Sequence, residues 1–417
     1  MAAFGAAPTP QNSGEWKLLS IHVEGAKRFS ETSVAAAFGL RVGEIVTQQK
    51  LESAALRLSD SGAFQSVSYR FQLQKDGLDV TIEVVELKNF LVCRFDNFTG
   101  LTDQELTEAV RKEVPLFDGS VPPEGQLIKD VENALSTYLR EKKSPGEVQH
   151  ILGGELGAKG LDLLFRVSGV PLAIQEVEFH GVTDDLLPPL KKAVGQLLTQ
   201  DYSRFAIRRF AEVALVPLCR ERGYLRAQFL DATARNPGAA SDAQGGVSVT
   251  LPLQQGPSYF WEKLEWTGNQ VITGKELDST VNMKSGELAN GLKIDAGWEA
   301  VQKLYGSRGY IDARLRPEPA YDDSGLRVSF RTSVEEGAQY HMAALILNNF
   351  PENAAQIVRS AWQLKPGQVY NASYLSDFLK NEGSVAFARA RMTYKSLRTM
   401  VYVIPEDHLV NVIIEVE

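Results

Sequence analysis

Leu19-Ser20-Ile21-His22-Val23-Glu24-Gly25 decides the reading of this chain, because its pattern returns four more times. The later copies are Phe90-Leu91-Val92-Cys93-Arg94-Phe95-Asp96-Asn97 and Ile174-Gln175-Glu176-Val177-Glu178-Phe179-His180-Gly181. Trp261-Glu262-Lys263-Leu264-Glu265-Trp266-Thr267-Gly268 and Met342-Ala343-Ala344-Leu345-Ile346-Leu347-Asn348-Asn349 complete the set. Period-two alternation marks a strand with one buried face. Each copy closes on Gly or Asn, the residues that best tolerate positive φ. The recurrence is roughly every 80 residues, so the chain reads as a repeat array.

Outward from each strand the same parts follow. A first helical stretch leads to a glycine: Gly43, Gly195, Gly286 and Gly367, with Gly119 a displaced equivalent. Glycine just past a helix is a common stop, and Pro366-Gly367 is the clearest case. A second helix then shows an apolar face: Leu51, Ala54, Ala55 and Leu58; Ile128, Val131, Leu135 and Leu139; Phe205, Ile207, Phe210 and Val213. It ends in Ser61-Gly62-Ala63-Phe64, Arg222-Gly223-Tyr224 or Arg308-Gly309-Tyr310. Lys142-Lys143-Ser144-Pro145 and Asn381-Glu382-Gly383-Ser384 stand at that place in the two divergent copies.

A hairpin closes each copy. Val67, Tyr69, Phe71 and Leu73 alternate, Lys75-Asp76-Gly77 turns, and Leu78, Val80, Ile82 and Val84 alternate back. Asp-Gly between alternating runs is a strong hairpin signal. Wider tips are expected at Asn236 to Gly246 and Tyr321 to Gly325.

The expected fold is therefore α+β: five tandem β-α-α-β-β units, each a three-stranded sheet with two helices on one face. The units are placed at 17–87, 88–169, 170–256, 257–337 and 338–417, after a flexible tail at 1–16. The joints Ser168-Gly169-Val170-Pro171, Gln255-Gly256-Pro257 and Glu336-Gly337 are short, so an extended, semi-rigid arm is expected.

Composition narrows the function. The chain has 417 residues, 44% hydrophobic and 23% charged, which fits folded globular domains. Lys+Arg is 44 against Asp+Glu 52, a net charge of -8, with no basic stripe, so nucleic acid is not an expected partner. No apolar run reaches the roughly 18 residues of a membrane span. The two cysteines, Cys93 and Cys219, fall in different repeats and read as separate buried thiols rather than a disulfide or zinc site.

No catalytic, metal or cofactor site is expected, and the protein does not read as an enzyme. The histidines, His22, His150, His180, His341 and His408, are scattered and lack ligand spacing. Gly153 to Gly160 lacks the Gly-Lys-Ser/Thr order of a phosphate loop and reads as a hairpin tip. Asp184-Asp185 and Asp322-Asp323 read as turn acids. Arg204, Arg208, Arg209, Arg220 and Arg222 make one helix basic: a solvated, salt-bridged face, or, through Arg204, Arg208 and Arg209, a contact with an acidic partner or lipid headgroup.

The order of parts resembles the POTRA family, the polypeptide-transport-associated domain. The match is carried by Ile21-His22-Val23-Glu24-Gly25, by Ser61-Gly62-Ala63-Phe64, and by Gln255-Gly256-Pro257-Ser258-Tyr259 running into Trp266-Thr267-Gly268-Asn269. Five such units resemble the periplasmic part of BamA-type outer-membrane-protein assembly factors. The resemblance implies a diderm periplasm, association with the outer membrane, and a role in protein transport. The implied partners are unfolded outer-membrane proteins and accessory envelope proteins, with membrane-surface contact through a barrel or a partner. It also implies that the second strand of each unit is an exposed edge, open to β-augmentation. On that reading the docking residues are Val67, Tyr69, Phe71, Ala227, Phe229, Ala313 and Leu315. The competing expectation is a scaffold or spacer that binds only folded partners of an envelope complex.

Overall fold

The computed structural model describes residues 14–153, 161–170, 172–235, 246–392 and 394–417. The expected tail up to residue 13 lies outside the described residues, as do the tips at 154–160 and 236–245 and the joint residue Pro171. The fold is mixed α/β. The chain divides into two compact units, one of residues up to 180 with 191–211 and 230–252, the other of 181–190, 212–229 and 253–417.

In the first compact unit, the chain runs β1 (Glu15–Glu24), α1 (Glu31–Phe38), β2 (Ile45–Thr47), α2 (Gln48–Asp60), β3 (Phe64–Gln74) and β4 (Gly77–Glu86). The sheet order is β2-β1-β4-β3, with β1 parallel to β4 and β3 antiparallel to it. Alternation sends Leu78, Val80, Ile82 and Val84 inward beneath Leu51, Ala54 and Leu58 of α2. Thr47 caps α2 by accepting from the Lys50 N–H, which satisfies one of the helix's orphan donors.

Next come β5 (Leu91–Phe95), α3 (Asp103–Glu113), β6 (Ser120–Val121), α4 (Gln126–Glu141), β7 (Glu147–Gly153) and β8 (Asp162–Ser168), in sheet order β6-β5-β8-β7. Thr102 and Glu105 form a capping box on α3. The first and second sheets share one continuous buried cluster, from Leu18 to Val167.

The third sheet follows β9 (Ala173–His180), α5 (Leu187–Val194), α6 (Arg204–Phe210), α7 (Val216–Glu221), β10 (Gln228–Phe229), β11 (Thr233–Arg235) and β12 (Gly246–Gln254). β12 lies parallel to β9 and antiparallel to β11, and its last residues, Leu253 and Gln254, pair with β10. The fourth is β13 (Phe260–Thr267), α8 (Gly274–Val281), α9 (Gly291–Ser307), β14 (Arg314–Asp322) and β15 (Arg327–Glu335), ordered β13-β15-β14. The fifth is β16 (His341–Asn348), α10 (Glu352–Ala361), α11 (Tyr374–Lys380), α12 (Glu382–Arg389), β17 (Leu397–Ile404) and β18 (Leu409–Val416), ordered β16-β18-β17.

Four sequence expectations need correction. The first two sheets have four strands, not three, because the segment between the helices pairs with the opening strand as β2 and β6. In the other sheets the same segment makes an isolated bridge: Ala173 with Asp201, Phe260 with Leu288, His341 with Val369.

The recurrent glycines are not helix stops. Gly39 caps α1, whereas Gly43, Gly286 and Gly367, at φ +92, +83 and +80, donate their N–H to the opening strand at Leu18, Trp261 and Met342. Gly195 is not the equivalent in the third copy; Thr199, at φ 69, gives its N–H to Ile174.

The helix expected over Phe205 to Val213 runs on to Glu221 but bulges on the way. Pro217 has no N–H, so the chain opens into a π-turn at Ala211–Leu215. The buried face is Ile207, Ala211, Leu215 and Cys219, and Val213 is 66% exposed.

Asn381 alone separates α11 from α12, and Glu382 to Ser384 open α12 rather than ending the second helix, so the positive-φ position after that helix falls to Arg391, at φ 51.

The sheets are joined in two ways. Within the first compact unit the Leu127 N–H bonds the Ser61 carbonyl at 3.2 Å, against Gly62. Within the second, Tyr259 N–H bonds Gly223 O at 3.0 Å and Tyr340 N–H bonds Gly309 O at 2.8 Å. Each of these joints places the next segment on the glycine that ends a second helix. The second copy ends with Lys143 at φ 55 instead of glycine, and its joint is different. Asp96, 3% exposed, accepts from Ser203 Oγ at 2.9 Å and from the Phe205 N–H at 3.0 Å. Gly100 N–H bonds Ala234 O at 3.0 Å, and Arg204 pairs with Asp103.

Candidate docking edges

Four closing hairpins leave an unbroken outer strand with one neighbour: β3 beside β4, β7 beside β8, β14 beside β15, β17 beside β18. Such a strand has a row of N–H and C=O groups directed away from the sheet. At the other border the bridging segment described above already covers the start of the opening strand.

β3 is the longest of these edges. Gln74 pairs with Gly77 across a two-residue turn, which makes that pair a hydrogen-bonded one. Alternation then directs the N–H and C=O groups of Val67, Tyr69, Phe71 and Leu73 outward. These residues pair with Val84, Ile82, Val80 and Leu78, so their side chains lie on the helix side of the sheet. Val67 and Tyr69 pack on the core, while Phe71 is 43% and Leu73 58% exposed. Burial first, and then the Glu52 carboxylate on α2, raise the Tyr69 phenol above its usual range. The opposite face is polar: Arg70 pairs with Glu24 at 2.7 Å and also with Glu83, and Gln74 donates to Asp79 at 2.9 Å.

The other edges differ. Pro317 and Pro319 sit in β14, each in unbroken register with Thr332 and Phe330. A proline keeps its place in a ladder only where its nitrogen faces outward, so the free side of β14 lacks two donors. β10 and β11 are short pieces, interrupted at Leu230 to Ala232. The N–H of Val148 in β7 is bonded to Ser136 Oγ on α4 at 3.3 Å. β17 is unbroken, and Met400, Val401 and Tyr402 are exposed along it.

The expected docking residues are thus unequal. Val67, Tyr69 and Phe71 lie on β3, Phe229 on β10 and Leu315 on β14. Ala227 and Ala313 are not in strands; each closes a turn by donating to Tyr224 O or Tyr310 O. Arg204 is held by Asp103, with its side chain 15% exposed, and is not a free cation. Arg208 and Arg209 are exposed on α6. β17 was missed as a site; the signal was the continuous Leu397 to Ile404 run without Gly or Pro.

Among the described residues no group of His, Cys, Asp and Glu is placed to hold a metal ion. Asp322 is occupied by the Ser324 and Gly325 N–H groups, and Asp323 by Tyr259 and Arg226. No helix among them is long and apolar enough to cross a membrane.

Residues 17–87 and 259–337 match the family described as POTRA, surface antigen variable number repeat. A putative outer membrane protein assembly factor from Treponema pallidum is 23% identical over 311 residues, 73% of this chain and 36% of that protein. The outer membrane protein assembly factor BamA of Neorickettsia risticii is 20% identical over 372 residues, 87% of this chain and 48% of that protein. The chain therefore spans between a third and a half of the length of these relatives. A crystal structure of Haemophilus influenzae BamA POTRA3-5 superposes with a TM-score of 0.43 at 17% identity, over 60% of this chain and all of that one.

Proposed function

We propose that the chain, of which residues 17–87 and 259–337 match the POTRA family, is a non-catalytic periplasmic docking and chaperoning arm of outer-membrane protein assembly. On this reading it consists of five β-α-α-β-β units at 17–87, 88–169, 170–256, 257–337 and 338–417. Its clients are unfolded β-barrel precursors, held by addition of a client strand to a free sheet edge, and accessory envelope proteins dock beside them. The observation that supports this most is β3, whose outward backbone groups run unbroken from Val67 to Leu73.

Strand addition suits such clients because backbone pairing tolerates many sequences. Four hydrogen bonds at about 0.5–1.5 kcal/mol each give roughly 2–6 kcal/mol. Association costs about 4 kcal/mol or more in lost motion. One edge then holds a client briefly, and several edges on one chain raise the effective concentration. Weak plural contacts permit handover.

The test is titration of the full chain into a fluorescent peptide of alternating apolar and polar residues. Weak, saturable binding is expected. No binding at any attainable concentration, with folded accessory proteins still captured, would replace this reading by the scaffold one.

A further inference from the structure

The second copy gives up a joint glycine and puts a lysine in its place. Where Gly62, Gly223 and Gly309 end a second helix at φ +77, +81 and +86, the second copy has Lys143 at φ +55. That left-handed angle costs a lysine stability that glycine would keep. Strain held at one residue asks for a reason in its side chain. We propose that Lys142, Lys143 and Arg235 form a binding site for a phosphate group, seated where the second and third copies meet.

Lys142 and Lys143 follow α4, and Arg235 ends β11. The Gly100 N–H on the Ala234 carbonyl, at 3.0 Å, holds the end of β11 beside the loop that follows β5. The three cations then line one open cleft of about 620 Å³, together with Thr99 and Ser144. That is room for a phosphorylated headgroup as well as for a bare phosphate.

The charge of the cleft fits such a ligand. Among the described residues none of the three cations is in an ion pair. Lys142 lies over the Tyr138 ring at 5.2 Å, a contact that leaves its charge unneutralised. The one carboxylate among the described lining residues, Glu105, has its Oε2 taken by the Thr102 N–H and hydroxyl at 2.8 Å each. Three positive charges against one negative leave two, which matches a phosphate monoester near neutral pH. Arg235 offers a fork of donors and the lysines offer point charges. In a chain of net charge -8 this local excess is not a matter of composition. Arg391 holds the equivalent place in the fifth copy, in a cleft whose described lining brings no second cation. A bound phosphate would tie Lys142 and Lys143 to Arg235 of the next copy, so it would also tighten that joint.

The probes are inorganic phosphate, titrated into the full chain by calorimetry, and phosphatidylcholine vesicles with and without phosphatidic acid, read by co-sedimentation. Saturable phosphate binding is expected, weakened about tenfold by Lys143→Gly, a loss of roughly 1.4 kcal/mol. The same variant is expected to raise the denaturant midpoint of the phosphate-free protein, because glycine relieves the backbone. Those opposite changes separate a binding lysine from a structural one. The pair Lys142→Gln, Arg235→Gln, which leaves the strained position alone, is expected to abolish binding. Sedimentation that needs phosphatidic acid and is lost in these variants marks a lipid headgroup as the source. Phosphate binding without it marks a free phosphate. Binding unchanged in either variant overturns the site, as does the absence of saturable binding to both probes.

Discussion

The joint at Gly309 and the joint at Asp96 perform the same task with different chemistry. At Gly309 the Tyr340 N–H meets a carbonyl, Tyr340 Oη donates to Asp312 at 2.6 Å, and the Ala372 N–H bonds Gly306 O at 3.0 Å. Most of that joint is backbone, and it depends on a residue without a side chain. At Asp96 a buried carboxylate bonds the start of α6 and Arg204 pairs with Asp103, so that joint is mostly side chain. The difference teaches that a repeat can lose its joint glycine if another buried group takes over the pairing. Lys142 to Pro145 is the loss, and Asp96 is the replacement.

The largest effect is expected at a glycine joint. A Cβ on Gly62, at φ +77, would sit 2.0 Å from the Glu124 carbonyl oxygen. Gly62→Ala should cost about 2–4 kcal/mol in denaturant unfolding, from left-handed strain plus displacement of backbone. Gly43→Ala is the control, because nothing lies within 4 Å of its Cβ position. It should cost only the strain, about 1–2 kcal/mol. Equal losses would mean that close approach contributes nothing at Gly62.

Asp96→Ala should come next, at about 2–3 kcal/mol, since it strips a charged acceptor from two donors in a buried place. Asp96→Asn keeps one acceptor oxygen and should recover part of the loss. A fully stable Asp96→Ala protein would remove the side-chain joint from the account.

Smaller still is a pH effect at the first pair of sheets. Burial alone would raise Glu86, yet its carboxylate accepts the N–H groups of Arg28, Phe29 and Lys27, with Arg28 charged beside it, and ends below its usual 4.5. A carboxylate depressed by folding stabilises above its unfolded value and stops doing so as pH falls through the folded one. Stability should therefore decline as pH drops below about 4.5, and Glu86→Gln should flatten that acid limb. An unaltered limb would assign it to other carboxylates.

The smallest effects are at the two thiols, which report on the joints without carrying them. Burial pushes Cys93 to about 12 and Cys219 to about 11. Both should resist alkylation at neutral pH until the protein opens. Cys93 is on β5, just before Asp96, and Cys219 is on α7, one turn before Gly223. Asp96→Ala should quicken labelling of Cys93 and leave Cys219 slow. Equal acceleration of both would show that the joints open together.

Much of this was readable in the residues, for a physical reason. Alternation and helical spacing fix which face is buried, so the opening strands and the first closing hairpin stand close to where their pattern put them, although the turn is Lys75-Asp76 and Gly77 pairs with Gln74. What pattern could not reach was the partner of each backbone group. Gly43 looked like a helix stop, but its N–H belongs to a strand. Thr199 took on a glycine's backbone angle with no signal in its side chain. Pro217 was visible, yet that its helix bulges instead of ending depends on the packing of Ile207, Ala211, Leu215 and Cys219. Among the expected docking residues, those on β3 were placed correctly in their strand because its alternation is long. Ala227 and Ala313 fell in turns because strand starts blur by a residue or two. The two donors that β14 lacks were visible as Pro317 and Pro319, and needed the register to be understood.

The most direct test is amide hydrogen exchange of the full chain, with and without the alternating peptide, read at single residues along β3. Slowed exchange at Tyr69, Phe71 and Leu73, with Leu315 and Tyr321 on β14 unmoved, is the result expected. Bound peptide with those β3 amides exchanging as fast as before would contradict strand addition at this edge.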